Sequence, residues 1–211
     1  MEIIYLNSVD STHKYLKEYI KTNSYTNPLA IVTSHQTDGI GSRDNKWQGK
    51  KGNLFFSFVL DKTYLPIDLP LQSSSIYFSF VLKQILNSYG SKVWLKWPND
   101  FYIKNKKIGG TITNMAGEFL YCGIGLNLIE TSKEYGYLDI DIDYKQVLKE
   151  YFELLETKIL WKDIYQKYKD EFEQNHTFTT TLDGKKVSLK DSILNEDGSI
   201  KLNENILYSL R

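Results

Sequence analysis

The segment that decides the fold is Val93 to Leu128, which reads VWLKWPNDFYIKNKKIGGTITNMAGEFLYCGIGLNL. It is rich in β-branched and aromatic residues, which are common in strands. Its apolar runs, separated by polar turns, predict four strands: Val93 to Trp97, Phe101 to Ile103, Ile108 to Met115 and Phe119 to Leu128. The lysine-rich stretch at 104–107 predicts one hairpin turn. Four successive strands indicate that a sheet forms the centre of the fold.

Further strands and several helices are predicted on both sides of this segment. The strands are Ile3 to Leu6, Leu29 to Ser34 and Leu54 to Leu60. The last of them is apolar on both faces, which predicts a central position in the sheet. One helix is expected to begin near Thr12 with Asp10 or Ser11 as its cap, and the others are Leu71 to Tyr89, Tyr144 to Thr157 and Lys162 to Gln174. Together they predict an α+β fold in which helices flank a mixed sheet.

The pattern changes near Asn175. After it come short alternating strands with turn signals at Asp183-Gly184 and Asp197-Gly198. We therefore divide the chain into a domain of residues 1–175 and a small β module of residues 176–211. The module is too short to hold much core by itself, so we expect it to dock on the larger domain.

Composition excludes several classes of protein. The 211 residues carry 26 basic and 26 acidic side chains, so no basic excess favours nucleic acid or an anionic membrane as a partner. The single cysteine, Cys122, excludes a disulfide framework, and the three scattered histidines lack metal-ligand spacing. The first residues do not resemble a signal peptide, and no apolar window is long enough for a membrane span. A soluble, cytoplasmic protein is expected.

The stretch from Gln36 to Asn53 has no periodicity and predicts a long loop, a kind of segment that is often functional. It contains Gly39-Ile40-Gly41-Ser42-Arg43, in which glycines allow close approach to a ligand and the arginine supplies a positive charge for phosphate or carboxylate. The pattern is neither a dinucleotide fingerprint nor a Walker loop. A glycine-rich surface turn explains it equally well.

Three further motifs offer polar side chains or glycines to a ligand. Lys96-Trp97-Pro98-Asn99-Asp100 offers a lysine for phosphate and two side-chain oxygens for Mg²⁺ or ribose, although an Asx turn beside a packed tryptophan is an equal alternative. Lys107-Ile108-Gly109-Gly110 and Gly123-Ile124-Gly125-Leu126-Asn127 place glycines inside strands, which indicates a closely approaching ligand or else a bulge or sheet corner. Cys122 lies among apolar strand residues and is interpreted as a core side chain.

Taken in order, these motifs resemble those of the biotin protein ligases. The resemblance runs from about Asn7 to the C-terminus and rests on Asp10-Ser11-Thr12, Gln36 with the loop from Gly39 to Trp47, and the three motifs just described. It implies a class II synthetase-like catalytic fold, shared by biotin and lipoate ligases, for residues 1–175. It also implies an SH3-like β module at the C-terminus.

The resemblance implies a two-step reaction. Biotin's carboxylate attacks the α-phosphate of ATP in the presence of Mg²⁺, and a lysine of a biotin carboxyl carrier protein then accepts the biotinyl group. Lys107 and Arg43 are implied as catalytic residues. The implied biotin site comprises Ser11, Thr12, His13, Gln36, Gly39, Ile40, Gly41, Ser42, Lys107, Gly110 and Gly123. The implied ATP site comprises Arg43, Trp47, Lys96, Asn99, Asp100 and Asn127, with Asn99 and Asp100 also as metal ligands.

This sequence departs from the family pattern at three places. Ile40 and Ser42 stand where the family commonly has arginines, with Arg43 one position later, and His13 stands where asparagine is frequent. The first predicted strand begins close to Met1, so we expect the ligase form without the DNA-binding module of the repressor relatives.

The alternatives are a lipoate or octanoyl transferase, whose Arg-Arg and Gly-Gly-Gly signature is missing, and a non-catalytic binding module. The oligomeric state is left open, with a homodimer as one option.

Overall fold

The computed structural model describes residues 1–24, 28–41, 46–47, 49–182 and 184–209. Its main sheet has seven strands in the order β1-β2-β5-β9-β8-β7-β6. Their bounds are β1 Glu2–Leu6, β2 Leu29–Thr33, β5 Leu54–Asp61, β6 Trp94–Lys96, β7 Asp100–Ile103, β8 Lys106–Ala116 and β9 Phe119–Leu126. β1 pairs in parallel with β2, and the other neighbours are antiparallel. The predicted mixed sheet is therefore confirmed.

The predicted long loop contains a small ribbon. β3 (Gly39–Ile40) pairs antiparallel with β4 (Lys46–Trp47). Two residues per strand are too few to produce a hydrophobic period, which is why the sequence pattern does not reveal the ribbon. It carries Ile40 and Trp47 to the edge of the candidate site.

Within the described residues, four α-helices flank the sheet: α1 Thr12–Thr22, α2 Ser74–Ser88, α3 Tyr144–Glu156 and α4 Trp161–Glu171. Ser11, and not Asp10, is the N-cap of α1, and its hydroxyl accepts from the backbone N–H of Lys14. The helix predicted from Leu71 begins as a 3-10 turn, Leu71–Ser73, which directly follows Pro70. None of the helices in the described ranges has the length and apolar character required to cross a bilayer.

The two faces of the sheet are covered unequally. On one face, Ala30 and Phe58 belong to a large core shared with α2, α3 and α4. On the other, Ile31 and Val59 pack with Leu16 of α1 in a much smaller cluster. α1 packs mainly on β2, β5 and β9. The candidate site lies beside it, over β8 and the middle of β5 and β9.

The C-terminal segment folds as short strands: β10 Thr179–Leu182, β11 Lys185–Ser188, β12 Ile193–Leu194, β13 Ile200–Leu202 and β14 Asn205–Leu207. Leu194, Ile200, Leu202 and Leu207 join the main core, as expected for a module too small to fold around a core of its own. The indole N–H of Trp97 donates to the carbonyl of Gly198 at 3.0 Å. Asp183 lies outside the described residues, and the division at residue 175 stays a prediction.

Candidate active site

A cavity of about 390 Å³ opens on the less covered face of the sheet. The first turn of α1, the β3–β4 ribbon and the middle of β5, β8 and β9 all reach it. Thirteen of the residues predicted for the site line it: Ser11, Thr12, His13, Gln36, Ile40, Gly41, Trp47, Asn99, Asp100, Lys107, Gly110, Gly123 and Asn127. Segments distant in sequence therefore converge on one cavity, although each residue's role stays a prediction.

Glycines on the neighbouring strands β8 and β9 form the floor of the cavity. Gly110 of β8 lies opposite Gly125 of β9, and Gly123 lies between Ser57 of β5 and Ile112 of β8. A Cβ on Gly123 would lie 3.1 Å from Ser57 Oγ and 3.2 Å from Ile112 Cγ1. The absence of side chains at these positions keeps a recess open above the sheet.

A directed chain of hydrogen bonds forms one wall. The backbone N–H and the hydroxyl of Thr12 both donate to Gln36 Oε1, at 2.7 and 2.9 Å. Thr12 Oγ1 also lies 2.9 Å from Ser57 Oγ, and because the single Thr12 hydroxyl proton is already used, Ser57 must be the donor there. Ser57 Oγ therefore has only lone pairs left for a ligand in the recess.

The opposite end of the cavity is charged. Lys107 Nζ lies 2.6 Å from Asp100 Oδ1, and Lys96 Nζ lies 4.0 Å from Asp100 Oδ2. Asp100 pairs with Gly110 across the β7–β8 ladder, and a register shift between Phe101 and Tyr102 brings Lys107 to the same side. One carboxylate is thus held between two ammonium groups, with Lys107 reaching into the cavity. This arrangement suits a ligand that carries several negative charges.

Asn99 has a structural role in the turn before β7. Its backbone carbonyl accepts from Thr111 N at 2.9 Å, and its side-chain amide donates to the Thr111 carbonyl. No group of three or more His, Cys, Asp or Glu side chains with metal-binding geometry occurs within the ranges that the structure describes. The part of Asn99 and Asp100 as metal ligands stays a prediction.

His13 is 7% exposed and sits at the edge of the recess. Its Nε2 lies 2.8 Å from Asn114 Oδ1, whereas its Nδ1 is buried without a partner among the described residues. Burial, reinforced by the nearby charge of Lys17, lowers the pKa of His13 to about 4. The imidazole is therefore neutral at physiological pH.

This lowered pKa makes stability depend on pH. The unfolded chain binds a proton at His13 near pH 6.5, whereas the folded protein binds it only near pH 4, so stability is complete above 6.5 and falls with pH below it. The loss should approach roughly 3 kcal/mol at pH 4. We expect denaturant unfolding at pH 7 and pH 4 to show a smaller drop for His13→Phe than for the natural chain. An equal drop in both proteins would contradict the buried neutral imidazole.

Seven residues that line the cavity were not predicted: Ser57, Thr111, Ile112, Ile124, Gly125, Thr131 and Tyr135. Ser57 had a signal, since it is the one polar residue in an otherwise apolar run. Gly125 packs directly under the Trp47 indole, where a Cβ would meet the ring at 3.0 Å. Thr131 and Tyr135 lie in a segment without periodicity, and nothing in the sequence indicates that it returns to the sheet.

Four predicted site residues are not seen lining the cavity. Gly39 lies just behind the cavity, and a Cβ on it would be 2.8 Å from Gln36 Nε2. Lys96 does not line the cavity but forms an ion pair with Asp100, which does. Ser42 and Arg43 lie outside the described residues.

Cys122 is buried on the opposite face, and burial raises the pKa of its thiol, which agrees with a core role.

Comparison with known proteins identifies the family. Residues 5–127, more than half of the chain, match the model of the biotin/lipoate A/B protein ligase family. A biotin acetyl coenzyme A carboxylase synthetase from Helicobacter pylori, with bound biotinylated ATP, is 39% identical over 98% of this chain and 99% of its own, with a TM-score of 0.92. A biotin protein ligase from Aquifex aeolicus, in complex with biotin and ATP, is 25% identical over 100% and 96%, with a TM-score of 0.78.

The curated relatives are longer proteins. The bifunctional ligase/repressor BirA of Bacillus spizizenii is 28% identical over 138 residues, which are 63% of this chain and 42% of that protein. The chain thus spans less than half the length of such relatives. The family match, the neighbouring structures and the convergence of the motifs on one cavity agree. The chain belongs to the biotin/lipoate A/B protein ligase family.

Proposed function

We propose that the chain is a biotin protein ligase, which activates biotin with ATP and transfers the biotinyl group to a lysine of a biotin carboxyl carrier protein. One observation carries the proposal: a single cavity joins a recess lined by hydrogen-bonding groups to a cluster formed by Lys107, Asp100 and Lys96. The recess suits a small polar ring, and the charged end suits a carboxylate meeting a triphosphate.

The first step joins two anions. A carboxylate oxygen of biotin forms a bond to the α-phosphorus of ATP, the bond to the bridging oxygen breaks, and pyrophosphate leaves. Lys107 offsets the negative charge that accumulates on the non-bridging oxygens, and it is positioned before the reaction by its ion pair with Asp100. In the second step the lysine amine of the carrier attacks the acyl carbon, loses a proton and releases AMP.

The two ends of the cavity have different proposed ligands. Ser11, Thr12 and Gln36 would hydrogen-bond the ureido ring of biotin, and Gly110 and Gly123 would leave room for its two rings. Trp47, which packs on Gly125 and has its ring 5.6 Å from Lys107 Nζ, would lie against the adenine. Asp100 would help to hold Mg²⁺, which supplies charge neutralisation for the phosphates. The parts of Asn99, Asn127 and Arg43 in binding ATP stay predictions.

Biotin fits the recess better than lipoate does. The walls of the recess are polar, comprising the linked side chains of Thr12, Gln36 and Ser57 together with His13. The dithiolane ring of lipoate offers no N–H or C=O to pair with the polar atoms that face the recess, and such sites discriminate strongly against ligands that lack the matching polar groups. The relatives from Helicobacter pylori and Aquifex aeolicus are solved with biotin-type ligands, which also supports the choice.

Pyrophosphate exchange tests the first step. The protein is incubated with MgATP and labelled pyrophosphate, with biotin, with lipoate or with neither. We expect label to enter ATP only when biotin is present. Exchange with lipoate and not with biotin would favour a lipoate ligase, and exchange with neither would favour a binding module without catalysis. A carrier protein as partner, the cytoplasm as location and a homodimer remain parts of the proposal that need separate tests.

A further inference from the structure

The turn that carries Asp100 into the cavity begins at the end of β6. Trp97, Pro98 and Asn99 join β6 to β7, and Lys96 pairs with Asp100 across the two strands. β6 is the last strand in the order of the main sheet, so in the described part of the chain no strand covers its outer edge. Backbone groups on this edge need another partner, since buried N–H and C=O groups are almost always paired.

One side chain supplies that partner. Asn175 lies in the 3-10 segment Phe172–Thr177, which continues α4, and it is fully buried. Its Oδ1 accepts from the backbone N–H of Trp97 at 2.7 Å, and its Nδ2 donates to the carbonyl of Leu95 at 3.5 Å. Residues two apart on a strand point their backbone groups to the same side, so one amide bridges them as a neighbouring strand would. Asn175 thus holds the backbone on both sides of Lys96.

Asn175 is itself held from several directions. Its Nδ2 also donates to the carbonyl of Phe172 at 3.0 Å, and its own carbonyl accepts from the N–H of Phe178 at 2.9 Å. The helix before it ends at Glu171, whose carboxylate forms a largely buried ion pair with Lys83 of α2. The amide is therefore fixed by the helical layer, and both of its N–H donors are used.

Asp100 links this amide to the charged end of the cavity. Lys107 Nζ lies 2.6 Å from Asp100 Oδ1. The far end of the turn is fixed by the two hydrogen bonds between Asn99 and Thr111, so the turn is held at its start by Asn175 and at its end by Asn99. A reacting group misplaced by about 1 Å can cost on the order of 100-fold in rate, so the rigidity of this turn bears on catalysis.

We propose that Asn175 is a positioning residue for adenylate formation: it fixes the turn before Asp100 and, through the ion pair of Asp100, the ammonium group of Lys107. The inference rests on the proposed function. The competing explanation is that Asn175 only stabilises the fold, since an unpaired N–H at Trp97 is unfavourable in any buried place. The two explanations differ in how fast a folded variant reacts.

Three measurements on variants of Asn175 separate these explanations. Asn175→Leu keeps the branched shape of the side chain and removes its hydrogen bonds. In the folded variant, we expect biotin-dependent pyrophosphate exchange at saturating biotin and MgATP to fall about 10- to 100-fold. Biotin affinity, measured by calorimetry without ATP, should stay within threefold, because α1, β5 and β9 form the recess. Asn175→Asp keeps an oxygen that accepts from the N–H of Trp97 and should recover part of the rate.

Asn87→Leu is the matched control. Asn87, in the last turn of α2, donates to the carbonyls of Ser91 and Val93 at 2.8 and 3.1 Å, so it also holds backbone that leads into β6 but lies before the strand. It should lose stability, measured by thermal unfolding, and keep the natural exchange rate. All rates are measured at a temperature where each variant is fully folded.

The outcomes divide clearly. Natural exchange in folded Asn175→Leu, or in Asn175→Ser if the leucine variant does not fold, would show that Asn175 serves stability only. An equal loss of rate in Asn87→Leu, a loss of biotin affinity as large as the loss of rate, or no recovery in Asn175→Asp would also overturn the proposal. If the natural protein itself shows no biotin-dependent exchange, the proposed function fails instead.

Discussion

Lys107→Ala should lower the rate of biotinyl-adenylate formation by about 100- to 1,000-fold, the range found when one preorganised charge-stabilising group is removed from an active site. Lys107 lies beside the glycine floor, 2.6 Å from Asp100. Removing its ammonium group takes away positive charge and leaves the Asp100 carboxylate facing two incoming anions. The rate is measured by biotin-dependent pyrophosphate exchange at saturating biotin and ATP.

The neighbouring lysine is a matched control. Lys106 precedes it in β8 but is exposed, does not line the cavity and donates to the backbone carbonyl of Lys133 at 3.2 Å. Lys106→Ala should exchange at close to the natural rate. Thermal unfolding of both variants checks that the fold survives. Natural activity in Lys107→Ala would refute its assigned role.

Gly123→Val should abolish measurable biotin binding, with a loss of at least about 100-fold. A Cβ alone would lie within 3.4 Å of atoms of Ser57, Ile112 and His13, so two further methyl groups fill the recess that the ring needs. Overpacking of this kind costs on the order of 1–3 kcal/mol even where neighbours adjust, and here it also excludes the ligand. Calorimetry with biotin measures the loss.

Gly117→Asn is the corresponding control. Gly117 lies in the β8–β9 turn with φ of +60° and nothing within 4 Å of a Cβ, and asparagine tolerates this conformation better than most residues. Biotin affinity should be unchanged in it. The smaller change Gly123→Ala serves if the valine variant does not fold. Undiminished binding in Gly123→Ala and Gly123→Val would show that the ureido ring lies elsewhere.

Most of the fold could be predicted from the sequence because its strands and longer helices have strong periodic patterns. The long strand Leu54–Asp61 is apolar on both faces and does lie inside the sheet, between β2 and β9. The β3–β4 ribbon was missed because two-residue strands leave no pattern. The start of the second helix was placed three residues early, since Leu71–Ser73 has the composition of a helix but adopts a 3-10 turn after Pro70.

The site was predictable where glycine or charge interrupts an apolar strand. Gly110 and Gly123 are conspicuous for this reason, and Lys107 stands three residues before the first of them; all three line the cavity. Thr131 and Tyr135 could not be found, because their approach depends on the chain returning after β9. That return is held by Gly136, whose N–H donates to the Lys107 carbonyl at 2.9 Å and whose carbonyl accepts from Asn127. These are tertiary contacts that no local pattern encodes.

Transfer to an acceptor tests the central claim most directly. The full chain is mixed with biotin, MgATP and an apo biotin carboxyl carrier domain, and the carrier is analysed by intact-mass spectrometry, with lipoate in place of biotin as the parallel reaction. We predict that one biotinyl group is added to the carrier, at its acceptor lysine, and that lipoate gives no product. A carrier that stays unmodified with biotin, or that is lipoylated instead, would contradict the assignment of this cavity to biotin ligation.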